Sequence, residues 1–287
     1  MLNNNLPMNI TREAELLLEQ LPKDITRILL EKMCGDDATF HKVIQYFEQH
    51  SSISQILMEY PGSHRMLELI YTGCGIADSI DKYFYDCLAA QALRDRLQSI
   101  TNNLDKIIPI RRNALLLNLG SGTSRDCIQL LSERIELLSY LTVHCIDTSK
   151  EALEIAGQLC RQGNVEHNFK FIQDNLMELR YRYEADAGLF IGILCSLEDR
   201  VCKILLQKAR KYFKPGALVI ASNVMTTILE KDPFTSYLLE KVIGWKLVYK
   251  TPERLQKIFE DAGYEWQGLF FDEPLHFHAM GIGKIPQ

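Results

Sequence analysis

The chain changes its hydrophobic period once, and that change constrains the fold more than any other feature. Upstream of Pro109-Ile110-Arg111-Arg112-Asn113 the apolar residues recur at helical spacing, whereas downstream short continuous apolar runs alternate with helical patterns. The upstream part places Ala14, Leu16, Leu17 and Leu18 within Thr11 to Gln20, then Ile25, Ile28, Leu29, Leu30 and Met33 behind Asp24 as the expected cap. Further helical patterns run through Phe40, Val43, Ile44 and Phe47, then Ile53, Ile56 and Leu57. After a break at Pro61-Gly62 they resume at Met66, Leu67, Leu69 and Ile70. A single longer helix is predicted over much of Ile76 to Ile107.

The downstream part begins with the apolar run Ala114 to Leu119, which ends at Gly120 and leads into a helical pattern through Cys127, Ile128, Leu130 and Leu131. The alternation repeats: Leu141 to Ile146 then Glu151 to Leu159; Phe169 to Ile172; Ala187 to Ile191 then Arg200 to Tyr212; Ala217 to Ala221. A helical insert carrying Tyr237, Leu238, Leu239 and Val242 follows, then a helix capped by Thr251 and ended at Gly263. Strands alternating with helices predict a parallel sheet covered on both faces. The last two strands, Glu265 to Phe271 and His276 to Ile285, are separated only by a turn around Asp272-Glu273-Pro274. Too few residues are available for a crossover, so this pair must be antiparallel. The expected organisation is an all-α region over residues 1–110 and an α/β domain over 111–287, a division that 287 residues allow.

Composition excludes several classes. Each part is mildly acidic, 12 basic against 15 acidic residues up to Asn113 and 20 against 22 beyond it, so neither carries the cationic excess expected of a nucleic-acid binder. No apolar run approaches the ~20 residues needed to span a bilayer, so no stable membrane insertion is expected. Met1 to Pro7 lacks the basic and apolar segments of a secretory leader, which makes the cytoplasm the expected compartment. The eight cysteines form no C-x-x-C pair and mostly sit in apolar segments, as buried reduced thiols do. The seven histidines show no ligand spacing, and no metal is predicted.

Chemistry-bearing residues cluster where strands end. Asn118-Leu119-Gly120-Ser121-Gly122-Thr123-Ser124-Arg125-Asp126 joins the first strand to its helix, where glycines admit a ligand to the backbone and a helix N-terminus offers free N–H groups. It is neither a P-loop, for want of Gly-Lys-Ser/Thr, nor a full G-x-G-x-x-G, because Arg125 occupies the third glycine position. A plain tight turn is the competing explanation. The second strand ends at Asp147-Thr148, where a carboxylate meets ribose hydroxyls or caps the next helix. The third ends in Gln173-Asp174-Asn175 and the fourth in Ile191-Gly192-Ile193-Leu194. Four such ends at one sheet edge are far more specific than any one of them.

These residues, with Lys214-Pro215-Gly216-Ala217-Leu218 and the terminal hairpin, resemble a class I S-adenosylmethionine-dependent methyltransferase over residues 114–285. The resemblance implies a Rossmann-like seven-stranded sheet with S-adenosyl-L-methionine as cofactor. Gly120 and Gly122 would lie against its methionine part, Asp147 on the ribose, and Asp174 with Asn175 by the adenine. Asn118, Ser121, Arg125, Thr148 and Gly192 complete the implied cofactor set. Asn118 stands where many members carry an acid, and Ser124 where many carry a third glycine. A narrower resemblance rests on Ile80-Asp81-Lys82-Tyr83-Phe84, Ala92-Leu93-Arg94-Asp95-Arg96, Gly192 to Arg200 and Gly244 to Thr251. These are similar to a bacterial group with a helical N-terminal region that includes 3-hydroxy fatty acid methyl ester synthases.

Methyl transfer by in-line displacement asks mainly for alignment and exclusion of water. A carboxylate acceptor needs no base; a hydroxyl or amine gains from one, and His276 and His278 are the candidates, with structural roles favoured. Tyr83, Arg94, Leu194, Asn223, Tyr237 and Trp245 are the expected acceptor-side residues, with Arg96 beside Arg94 as a second fork for a carboxylate. Helically spaced aromatics serve a core equally well, and charged helix positions serve a solvated face. The expected activity is O-methylation of a small apolar acceptor, with a carboxylate-bearing, fatty-acid-like molecule as the example the narrower resemblance implies. A protein or RNA methyltransferase and a non-catalytic cofactor-binding module are the alternatives.

Overall fold

The computed structural model describes residues 10–32, 40–104, 106–109, 113–179 and 184–287. Met1 to Pro7, Met33, Cys34 and Ile110 to Arg112, all used in the sequence reading, lie outside the described residues. The chain divides into two compact units, one of residues 1–94 with Thr226–Leu247 and one of Asp95–Met225 with Val248–Gln287.

The first unit is helical. It contains Arg12–Gln20, Lys23–Lys32, His41–His50, Ser52–Glu59, His64–Thr72 and Ser79–Asp86, the start of Leu88–Leu104, and the insert helices Thr227–Lys231 and Pro233–Tyr237, the latter running into a π-helical turn, Leu238–Val242. Leu17, Leu29, Phe47, Ile53 and Phe84 share one core with Phe234, Leu238 and Val242 of the insert. This corrects the expected boundary between residues 110 and 111. The two insert helices, five residues each, are too short to stand alone and bury their apolar side chains with the N-terminal helices, while Ile100, Leu104, Ile107 and Ile108 bury in the sheet unit. Two further expectations change. Asp24 lies inside the first turn of its helix and does not cap it. The long helix is broken at Cys87, whose ψ of 156° is extended, giving Ser79–Asp86 and Leu88–Leu104. A one-residue break barely disturbs a 3.6-residue pattern, so periodicity does not register it.

Asp81, fully buried, organises the helical unit. It accepts the Ser51 hydroxyl at 2.6 Å, the Ser52 hydroxyl at 2.8 Å and the Ile53 N–H at 3.0 Å, so a side chain on one helix caps the start of another.

The second unit is a seven-stranded sheet in the order β3-β2-β1-β4-β5-β7-β6, with β1 Ala114–Leu119, β2 Leu141–Asp147, β3 Phe169–Gln173, β4 Ala185–Phe190, β5 Phe213–Val224, β6 Glu265–Phe271 and β7 His278–Lys284. β1 to β5 are parallel, and β7 runs antiparallel to both β5 and β6. Strand alternation sends Leu117, Leu119, Val219 and Ala221 to one face and Leu116, Val143, Cys145 and Ile220 to the other. Helices Asp199–Ala209 and Pro252–Asp261 cover the first face; Arg125–Glu133, Lys150–Gln162 and the end of Leu88–Leu104 cover the second. Of the described cysteines only Cys74 is exposed, and burial raises the thiol pKa of Cys87 to about 12 and of Cys202 to about 11. Among the described residues no helix is long and apolar enough to cross a membrane.

Replacing Asp81 with alanine strands two hydroxyls and a backbone N–H in or near the core. Urea unfolding of Asp81→Ala is expected to show a loss of about 3 kcal/mol, with Asp81→Asn intermediate.

Candidate active site

Chain order reverses between β1 and β4, so the turns after these two strands diverge and leave a crevice at the carboxyl edge of the sheet. The turn after β1 lines it. Gly120 and Gly122 have φ of 64° and 50°, and the Gly120 and Ser121 N–H groups donate to the Ile146 carbonyl. A Cβ on Gly120 would collide with Ile193 after β4, so this position needs glycine for space as well as conformation. Ser124 also adopts a left-handed conformation, φ 53°, fulfilling with a small polar side chain the turn that a glycine would make.

Asp147 ends β2 and is locked in place. One carboxylate oxygen accepts the Gly122 N–H at 2.8 Å and the other accepts the Ser149 N–H at 2.8 Å. Each oxygen keeps lone-pair capacity beyond its backbone bond, a donor set that suits two adjacent hydroxyls. Thr148 is exposed, and its carbonyl accepts Gln173. The turn after β3 is built by its own side chains: Asp174 accepts the Asn175 N–H at 2.8 Å and Asn175 accepts the Met177 N–H at 2.9 Å. The Asp174 N–H meanwhile donates to the Asp147 carbonyl, which brings the two strand ends together. Gly192 after β4 has φ of 77° and donates its N–H to the Ser222 hydroxyl at 2.9 Å. Ser121 and Arg125 are half-buried at the start of the glycine turn and of the following helix.

Asn118 plays a more internal part than expected. Its amide donates to the Ser124 hydroxyl at 2.9 Å and to Asp126 at 3.3 Å. Asp126, which the sequence gives no role of its own, thereby puts a carboxylate beside Asn118 at the end of β1. It is buried, and that burial raises its pKa despite the Cys127 N–H and nearby Arg96. An acid in the first turn of a helix is so ordinary that nothing in the sequence flags it.

The two arginines separate. Arg94 belongs to the helical unit, where it donates to the Tyr85 carbonyl at 3.0 Å and the Ile70 carbonyl at 3.3 Å and lies over the Tyr85 ring. Both bonds are made by Nη1 and give Arg94 a structural part in the helical unit. Arg96 is buried in the sheet unit with its guanidinium near Gly192, and its charge is felt by Asp126, Cys195 and His278. Asn223 is also spent: its amide donates to the Val224 and Val248 carbonyls and its oxygen accepts Lys250. Leu194 is buried in the sheet core. Burial lowers the His278 pKa against the pull of Asp272, with Arg96 acting in the same sense as burial. His276 is half-buried, pairs with Glu273 at 2.7 Å and stacks on Phe271.

The aromatic candidates lie in the helical unit. Tyr83 is buried, its hydroxyl bonded to Thr235; Tyr237 meets Phe40 edge-on; Trp245 packs over Gly62. Trp245, Ile53, Leu57, Phe84, Cys87 and Thr235 are among the residues lining an apolar cavity of about 40 Å³.

Residues 110–263 match a family model described as a methyltransferase domain. Among solved structures, a chain from Bordetella parapertussis described as a possible exported protein is 17% identical, with 96% of this chain and 98% of that one covered and a TM-score of 0.73. The magnesium protoporphyrin IX methyltransferase of Synechocystis PCC 6803, solved with S-adenosylhomocysteine bound, is 15% identical over 82% of this chain and 100% of its own, TM-score 0.58. The S-adenosylmethionine-dependent methyltransferase SibL, in its apo form, is 17% identical over 95% and 92%, TM-score 0.56. At these identities the likeness is one of fold. No curated protein sequence matches the chain.

Two outcomes test this geometry. Asp147→Ala is expected to weaken S-adenosylhomocysteine binding, measured by calorimetry, at least about 10-fold, by removing a charged acceptor of hydroxyl hydrogen bonds. Asp126 has a folded pKa above its unfolded value, so its ionisation opposes folding increasingly as pH rises through that interval. Asp126→Asn is therefore expected to raise the unfolding midpoint at pH 7, with the gain vanishing below about pH 4.

Proposed function

From the premise that this chain belongs to the methyltransferase-domain family, we propose that it transfers a methyl group from S-adenosylmethionine to an oxygen of a small apolar acceptor. The observation that carries the donor half is the Asp147 carboxylate, tied to the glycine turn through Gly122 N–H with lone pairs left for a diol. The residues present fit the donor. Gly120 and Gly122 offer side-chain-free backbone, Asp147 suits the ribose hydroxyls, the Asp174-Asn175 turn is available to the adenine edge, and Arg96 near Gly192 suits a carboxylate. Bound there, the donor supplies a methyl group activated by its sulfonium and open to in-line displacement.

The chain's own residues have to align the partners and keep water away, because the displacement needs little further chemistry. Ile193, pressed against Gly120, walls one side of the glycine turn with hydrocarbon. The acceptor half rests on the resemblance and on the charge balance of the sequence. A carboxylate-bearing acceptor is consistent with this site, since it is already nucleophilic. The resemblance to 3-hydroxy fatty acid methyl ester synthases points the same way, and the mild acidity of both halves of the sequence argues against a nucleic-acid substrate.

Incubation with methyl-labelled S-adenosylmethionine and cell extract, followed by fractionation, is expected to put the label in the lipid or small-molecule fraction. Label in protein or RNA would replace this acceptor, and cofactor binding with no transfer would make the chain a binding module.

A further inference from the structure

Lys250 is the one fully buried lysine among the described residues, and its surroundings are unusual. Its ammonium donates to the Leu194 carbonyl at 3.0 Å, the Leu197 carbonyl at 3.1 Å and the Asn223 side-chain oxygen at 3.0 Å, with the Val248 carbonyl at 3.3 Å. Asp199 lies 3.9 Å away and is itself paired with Arg254. An ammonium has three protons, so these acceptors use all of them. Nothing remains for an anionic ligand, and burial lowers the pKa of the group without freeing it to act as a base.

The acceptors come from three stretches of chain: the irregular segment after β4, the end of β5, and the return of the chain at Val248 after the insert. The backbone at this point joins the same stretches. Lys250 N–H donates to the Val224 carbonyl, Val248 N–H donates to the Cys195 carbonyl at 2.7 Å, and Lys250 forms a bridge with Met225. An apolar side chain would fill the same volume and leave several oxygens without donors, whereas a buried cation carries a large desolvation cost unless fully coordinated. The gain from a lysine here is a single geometry for an irregular segment.

That segment borders the donor site. It starts at Gly192, whose N–H is anchored by Ser222, and its second anchor is Lys250 on Leu194 and Leu197. Between the anchors lies Ile193, the side chain that meets Gly120. We propose that Lys250 is a positioning residue for the methyl-donor site, holding the segment after β4 so that Ile193 stays seated over the glycine turn. The inference rests on the donor reading given above and adds to it a residue about 130 positions from the glycine turn.

Calorimetry with S-adenosylhomocysteine tests it on four full-length proteins: wild type, Lys250→Met, Lys250→Gln and Lys214→Met. Lys214 pairs with Asp186 at 2.9 Å beside the start of β5, at the opposite edge of the sheet, and serves as the control for a lost ion pair. Lys250→Met is expected to bind about 10- to 100-fold more weakly, as small displacements of positioning groups do. Lys250→Gln, which keeps amide donors, is expected to recover part of that loss, and Lys214→Met to bind as wild type does. Amide exchange of residues 192–197 is expected to quicken in both Lys250 variants and not in Lys214→Met. If Lys250→Met does not fold, Lys250→Gln carries the test: a several-fold loss supports the role, and wild-type affinity overturns it. Equal losses in Lys214→Met and the Lys250 variants also overturn it, by assigning the effect to stability. Absence of binding by wild type is a different failure, which removes the donor reading and this role together.

Discussion

Parallel pairing of β1 with both β2 and β4 is the constraint on which the sheet unit depends. Once β1 is central, the chain must run outward to β3 on one side and return on the other, and the turns after β1 and β4 part at the carboxyl edge. Every feature of the candidate site descends from that. The glycine turn follows β1, Asp147 ends β2, Asp174 and Asn175 follow β3, and Gly192 follows β4. Hydrogen bonds tie successive ends together, Gly122 to Asp147 and Asp174 to the Asp147 backbone, so the edge is a connected structure and its members are held relative to one another.

Polar groups in this chain are buried in two different ways. Asp81 and Lys250 are buried with their hydrogen-bonding capacity used by several partners, and both hold together segments distant in sequence. Asp126 also accepts hydrogen bonds from Asn118 and Cys127, yet burial outweighs them and raises its pKa. The distinction matters because a buried charge that joins remote segments specifies one geometry, while one whose burial outweighs its hydrogen bonds opposes folding as it ionises.

Much of the architecture was legible in the residues. The strands fall close to the predicted runs because a buried parallel strand needs a continuous apolar stretch and a turn signal, which short-range sequence displays directly. The antiparallel hairpin followed from chain length alone. What escaped was of three kinds. The break at Cys87 leaves the helical period intact. The allegiance of the insert to the N-terminal helices depends on Phe234, Leu238 and Val242 finding a core assembled from residues about 150 to 220 positions away. The separation of Arg94 from Arg96 depends on which carbonyls and charges meet each guanidinium, although the two stand two residues apart and look alike in sequence.

The sequence by itself determined the α/β character of the sheet unit, the glycine turn and the carboxylate that ends β2, because each is encoded by residues within one strand–turn–helix unit. Only the tertiary structure decided that Asn223 is occupied within the fold, that Asp126 lies beside Asn118, and that Lys250 binds three remote stretches of chain. Those assignments rest on hydrogen-bond partners drawn from distant positions, and a donor's choice among acceptors is settled by where folding puts them, not by its own neighbours in the sequence.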